Sequence, residues 1–339
     1  MEKVLVGLSG GVDSAATALI LKEKGYEVHG VYLSFCPEGD IEGARCVAEK
    51  LGIPFYVSKR ERSFRKKVVE PFVAAFKSGI TPNPCVECNR NMKFASLIAV
   101  ADRLGIEKVA TGHYARILQG ENGRMTLCRG KDFAKDQSYF LWKLTQKQLS
   151  RILFPLAEEE KGDVRERARS LVSPEKKESM EICFITDGDT QKFVSENGGD
   201  TPSGDFVNRE GKILGRHKGI SHYTIGQRRG LGVAAGERIF VTEIQGEGNF
   251  GVLGKEDELL TKEHFVKDLH YVSRSKKEIP KEGISFQGRN HGKPILCKIC
   301  FEKGGVHVFF KEPVRKFAPG QSACFYMGDE LLFGGEIAK

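Results

Sequence analysis

The run Val4-Leu5-Val6-Gly7-Leu8-Ser9-Gly10-Gly11-Val12-Asp13-Ser14, followed at once by the helix-forming stretch Ala15 to Lys24, constrains this chain more than any other segment. A short apolar strand enters a Gly/Ser turn, and the turn opens a helix. That order aims backbone N–H groups and the positive end of a helix dipole at one point, which makes an anion site. Gly10 and Gly11 let the backbone approach the anion, and Ser9 and Ser14 add hydroxyl donors. Asp13 suits a Mg²⁺ ligand better than a phosphate contact. The segment predicts a site for the phosphates of a nucleotide.

Two common phosphate loops do not fit. No lysine follows Gly11, as G-x-x-x-x-G-K-[ST] requires, and Gly7, Gly10 and Gly11 are wrongly spaced for G-x-G-x-x-G. Ser9 to Ser14 instead matches SGGxDS and resembles the pyrophosphate loop of ATP pyrophosphatases, which activate an oxygen by adenylation and release pyrophosphate.

The first half of the chain alternates strands and helices. Strands are predicted at 3–7, 26–34, 55–58 and 108–111, with helices at 12–24, 42–51, 63–77, 89–104, 146–154 and 164–171. This pattern gives an α/β domain with a parallel sheet covered by helices on both faces and ligands at the C-terminal strand ends. Beyond about residue 195, Gly-rich turns separate short β-like runs at 222–225, 239–245, 251–253, 265–272, 295–301, 306–310, 323–327 and 331–337, so the rest reads as small barrels or sandwiches. The expected domains are 1–195, 196–258 around a Pro202-Ser203-Gly204 linker, and a C-terminal β-barrel at 259–339.

At 339 residues the chain can bury several cores. No stretch approaches the roughly 18 apolar residues of a membrane span, so a cytoplasmic protein with no membrane partner is expected. The net charge of +8 is spread over basic clusters such as Arg65-Lys66-Lys67 and Arg228-Arg229, which suits a polyanionic partner. The nine cysteines are odd in number and scattered, fitting reduced thiols better than a disulfide scaffold.

Thr81-Pro82-Asn83-Pro84-Cys85-Val86-Glu87-Cys88 is the second informative segment. Two prolines hold it extended and stiff. Cys88 precedes a helix expected from Asn89, with Arg90 and Lys93 nearby, a setting that lowers a thiol pKa and makes a nucleophile. Cys183 lies in an apolar strand-like run and, by itself, reads as a core residue. Cys297 and Cys300 fall on opposite faces of a strand, a poor geometry for one metal; Cys36 and Cys46 have no assigned role.

These segments, with Ala110-Thr111-Gly112-His113-Tyr114, Lys135-Asp136-Gln137-Ser138-Tyr139, Ile182-Cys183-Phe184-Ile185, Tyr223-Thr224-Ile225-Gly226-Gln227-Arg228 and Pro319-Gly320-Gln321-Ser322, occur in one order over nearly the whole chain. Together they resemble the tRNA-specific 2-thiouridylases, which convert a wobble uridine to 2-thiouridine. The resemblance implies an adenine nucleotide alpha hydrolase-like first domain and these roles. Gly7, Leu8, Ser9, Gly10, Gly11, Val12, Asp13 and Ser14 hold ATP with Mg²⁺, and Leu33 (a methionine in most relatives) and Gly112 border the adenosine. Cys183 carries a persulfide supplied by a cysteine desulfurase or relay protein, and Cys88 is its partner nucleophile. Asn83, Pro84 and Cys85 lie against the target base. His113, Lys135, Asp136, Gln137, Arg289, Asn290 and Gln321 contact tRNA. Adenylation makes the C2 oxygen of uridine a leaving group, sulfur replaces it, and the reaction ends with a Cys88–Cys183 disulfide. The target base leaves its stack for this, and a monomer is expected.

The chain departs from the pattern at Glu181, a glycine in most relatives, and at Arg289-Asn290, which replaces an Arg-Tyr pair. Cys85, Cys88 and Cys183 could alternatively hold an iron–sulfur cluster with one open iron site. Two other readings are a noncatalytic RNA-binding protein and a different adenylating enzyme that acts on a small molecule.

Overall fold

The computed structural model describes residues 1–37, 39–120, 123–173, 182–234 and 236–339; Glu181 lies outside the described residues. The first part of the chain lays down β1 (Lys3–Gly7), α1 (Val12–Glu23), β2 (Glu27–Ser34), α2 (Ile41–Leu51) and β3 (Phe55–Lys59). One long helical stretch follows, α3 (Glu61–Phe64) and α4 (Glu70–Lys77) joined by a π turn at Arg65–Val69. Another comprises α5 (Pro84–Cys88), a π turn at Asn89–Lys93 and α6 (Phe94–Arg103). Then come β4 (Lys108–Ala110), the hairpin β5 (Ala115–Gln119) and β6 (Met125–Arg129), α7 (Gln146–Leu149), β7 (Ile152–Leu153), α8 (Lys161–Ala168) and α9 (Thr190–Glu196).

The sheet order is β3-β2-β1-β4-β7, every pair parallel. Its central strand β1 is apolar on both faces, since Val4, Leu5 and Val6 are all fully buried, as a sheet covered on both sides demands. Leu5 faces a cluster built from Phe94, Leu97 and Val109, while Val4 and Val6 face Ala15, Ala18, Val47 and Val164. The chain order reverses between β1 and β4, so the crevice beyond their C-terminal ends is where a ligand is received.

A four-stranded sheet follows, β8 (Gly204–Val207), β9 (Ile213–His217), β10 (Phe240–Gln245) and β11 (Phe250–Gly254), in the order β10-β11-β8-β9 around Phe206, Tyr223 and Val241. Six strands make the last unit: β12 (Leu260–Tyr271), β13 (Ser285–Gln287), β14 (Ile295–Glu302), β15 (Gly305–Arg315), β16 (Ser322–Met327) and β17 (Glu330–Ile337). They run β12-β15-β14-β13-β16-β17, and β17 pairs back onto β12 to close an antiparallel barrel. Closure removes both sheet edges. The expected fold class is therefore observed. In β14, burial alternates residue by residue and leaves Cys297 half-buried and Cys300 exposed, on opposite faces as the spacing implied.

Several elements differ from the expectation for tertiary reasons. The helix expected over 146–154 stops at Leu149, because Ile152 and Leu153 pair with Val109 and Ala110 and extend the parallel sheet. The strand expected at 222–225 is a 3-10 turn at Ile220–His222, entered through Gly219 at φ 133°, and Tyr223 then packs on Phe206. The hairpin β5–β6 was not anticipated; it pairs with β17 and so joins the first domain to the barrel.

Candidate active site

At the end of β1 the chain turns through Gly10, at φ 73°, a left-handed conformation that glycine adopts without penalty. Gly11 is the N-cap of α1 and provides no side chain, so the first-turn N–H groups have no side-chain cap. These are the orphan donors an anion satisfies. Ser14 Oγ donates to the Gly11 carbonyl at 2.9 Å and accepts from the Ser9 N–H at 3.2 Å, fixing the loop's curvature. Leu8 is buried, and its N–H bonds the Val31 carbonyl. Leu33, two residues beyond Val31, lies near the C-terminal end of β2. A side chain at Gly112 would bring its Cβ to 2.8 Å from Asp13 backbone atoms; only glycine lets the segment after β4 pass that close to α1.

Asp13 is more tightly engaged than its sequence context suggested. One carboxylate oxygen accepts from the Tyr114 hydroxyl at 2.9 Å and from Lys161 Nζ at 2.6 Å. Lys161, with a side chain only 9 % exposed, was not anticipated. It is the first residue of α8, and no local pattern in the sequence marks it.

The second centre gathers thiols. Pro84 is the first residue of α5 rather than part of an extended loop, a position that suits its missing N–H and fixed φ. The helix therefore begins five residues earlier than expected. Cys85 lies in its first turn, and Cys88 sits inside the continuous helical stretch instead of before it. Cys88 is buried among Phe64, Phe72, Met92 and Ile185. Burial pushes its thiol up to about 12, with Lys93 pulling down and Cys183 and Cys85 pushing up. Burial likewise raises Cys85 to about 11. The expectation of an acidified Cys88 is thus corrected: Cys88 does not sit at a helix N-terminus, and desolvation outweighs the pull of Lys93.

Cys183 lies in a turn, exposed, and not in a core strand as expected. The surrounding protein still raises its thiol, and Lys93 again opposes the shift. Phe184 anchors the turn by packing edge-on against Phe64 and Phe72, at 5.5 and 5.4 Å between ring centroids. Cys85, Cys88, Cys183 and Lys93 thus lie within electrostatic reach of one another. Among the described residues, no three His, Cys, Asp or Glu side chains are grouped to hold a single metal ion.

A raised pKa means that Cys88 keeps its proton at neutral pH. Its alkylation by iodoacetamide should rise about tenfold per pH unit between 7 and 10. A plateau below pH 9 in peptide mass mapping contradicts this assignment. The same shift favours the folded state below the ordinary thiol value, and that contribution is lost as pH rises from 9 towards 12.

The residues expected at tRNA separate into two groups. Asn83 occupies the N-cap position of α5 without a side-chain capping bond, and Gln321 Nε2 donates to the Thr81 carbonyl at 3.0 Å, so the barrel pins the loop before the thiols. Lys135 is half-buried in its loop. His113, however, is buried between Phe94 and Phe154, bonded to Thr111 Oγ1 at 2.7 Å, and burial keeps it neutral. Asp136 is buried on Arg129, Gly130 and Ser138, and the Gln137 side chain accepts from the Tyr114 N–H. These three side chains brace the domain from within rather than present themselves to a polyanion. Arg289 borders a barrel basin of about 360 Å³ with His291, Lys293 and Arg315, and stacks over Phe317.

Residues 2–187 match the family described as the tRNA methyl transferase HUP domain, 191–254 its PRC-barrel domain, and 261–337 the aminomethyltransferase beta-barrel domain. The chain is 42 % identical over 355 residues to a tRNA-specific 2-thiouridylase of Clostridium botulinum, covering 99 % of this chain and 98 % of that one. It is 43 % identical over 361 residues to the corresponding protein of Carboxydothermus hydrogenoformans, covering 100 % and 98 %. The chain belongs to the tRNA-specific 2-thiouridylase family. The chain thus combines two candidate centres, an uncapped loop at the end of β1 and thiols held at one helix and one turn.

Proposed function

We infer that this chain replaces the C2 oxygen of a tRNA uridine with sulfur in an ATP-dependent reaction. The observation that carries the reading is the pairing, in a chain that matches its relatives over 98 % of their length, of an uncapped phosphate loop with Cys88 and Cys183 under one lysine. The loop offers donors to the phosphates of ATP. Asp13 is the residue that would hold Mg²⁺, which needs only one or two carboxylates beside phosphate oxygens.

The uridine C2 oxygen attacks the α-phosphorus of ATP, and pyrophosphate leaves. A persulfide on Cys183 attacks C2, AMP departs with the former C2 oxygen, and sulfur bridges C2 and Cys183. Cys88, once deprotonated, attacks the Cys183 sulfur and frees the thiolated base, leaving a disulfide for an external thiol to reduce. Exposure of Cys183 lets a cysteine desulfurase or relay protein load it. Burial of Cys88 keeps its thiol protonated and in reserve until the sulfur is in place.

The test combines purified protein, ATP, an unmodified tRNA transcript and a cysteine desulfurase with cysteine. One AMP and one pyrophosphate should appear for each 2-thiouridine measured by nucleoside mass spectrometry. Pyrophosphate release without RNA, or tRNA that stays free of sulfur, overturns the reading.

A further inference from the structure

The phosphate loop carries no cation: Gly7 to Ser14 contains neither lysine nor arginine. A triphosphate is polyanionic, and lysine-bearing loops of other nucleotide enzymes supply an ammonium from the loop itself. Here an ammonium reaches the same point from far along the chain. Lys161 Nζ lies 2.6 Å from the Asp13 carboxylate in the first turn of α1. Its backbone N–H bonds Asp132 at 3.2 Å, and Val164 and Ala168 seat α8 in the core that also holds Ala15 and Ala18 of α1. The ammonium is therefore held in place by packing as well as by its charge partner.

Resting on the ATP-dependent reading above, we propose that Lys161 is the cation of the nucleotide site, and that its ammonium bonds the triphosphate of ATP in exchange for its contact with Asp13. The free protein then stores the charge neutralised on Asp13. A buried ammonium without a partner would be costly, and the exchange never leaves it alone: a carboxylate holds it before ATP binds and phosphate oxygens hold it afterwards. In the free protein Asp13 also accepts from the Tyr114 hydroxyl at 2.9 Å, a donor that stays available to it once the ammonium has moved.

Lys161→Met keeps the length of the side chain and removes its charge. MgATP affinity, measured by equilibrium dialysis, should fall about ten- to hundredfold, the loss expected for a hydrogen bond to a charged group. Adenosine, followed by saturation-transfer NMR, should bind as it does to wild type, because it lacks phosphates. Lys161→Arg should retain most of the ATP affinity. The double variant Asp13→Asn/Lys161→Met removes the carboxylate left unpaired and should melt near the wild-type temperature while still lacking the preference for ATP. Lys161→Met that binds MgATP as wild type does, or that loses adenosine and ATP equally, overturns the proposal. Wild-type protein that does not bind ATP overturns the broader reading instead.

Discussion

Replacing Cys183 by serine is expected to lower thiolation of tRNA by about a thousandfold or more while pyrophosphate release on tRNA continues. The split follows from the separation of the two centres. Adenylation uses the loop at the end of β1, whereas Cys183 sits on a turn anchored by Phe184 beside α5 and α3. Cys183 is exposed, so the substitution should change stability by no more than about 0.5 kcal/mol. Cys88→Ala is the complementary variant. Cys88 is buried in an aromatic cluster, so alanine costs about 1–2 kcal/mol of stability through the small cavity it leaves. Thiolation should again be lost, but now Cys183 accumulates one sulfur atom more than a thiol, detectable by intact mass after incubation with the desulfurase and cysteine. Serine is the wrong probe there, because an unpartnered hydroxyl among Phe64, Phe72 and Met92 would unfold the site for its own reasons. Cys183→Ser protein that thiolates at the wild-type rate ends the persulfide assignment.

The phosphate loop was legible because its parts are consecutive: strand, turn and helix start lie within the first fourteen residues, and the glycines state where backbone must bend. The thiol centre was legible in its members but not in its acidity. Helix α5 begins at Pro84, and reading that proline as a stiffener displaced the helix start to Asn89, which put Cys88 at a dipole end it does not occupy. Burial then reverses the sign of the shift, and burial at Cys88 depends on Phe64, Phe72 and Ile185, which lie on other segments. Lys161 was not legible at all, since its partner lies 148 residues away. The hairpin β5–β6 pairs Ala115–Gln119 with Met125–Arg129, two runs to which the alternation of strands and helices assigns no element. His113 and Asp136 belong to motifs that the sequence shows plainly, but their side chains face inward, a direction that only packing decides.

Arg129→Met should destabilise the protein by about 3–5 kcal/mol, the cost of removing one partner from a buried ion pair. Arg129 ends β6 and is 6 % exposed. Its guanidinium donates to Asp136 at 3.0 Å and to Gln287 of β13 at 2.7 Å, and lies 3.7 Å from the ring centroid of Tyr326 on β16. Tyr326 in turn meets the Ser138 hydroxyl at 3.0 Å, and that hydroxyl donates to Asp136. One cation thus ties the hairpin of the first domain, the 131–137 loop and two barrel strands into a closed network. Methionine fills the volume but leaves the Asp136 carboxylate buried without its cation. Calorimetry should show the melting transition lowered, and Asp136→Asn in the same protein should recover part of the loss, because the stranded charge is the larger cost. The same loop supplies Asp132 to the backbone of Lys161, so loosening it should also weaken ATP binding in protein that is still folded. An Arg129→Met variant that melts within 1 °C of wild type removes the network from the list of things holding the barrel to the nucleotide domain.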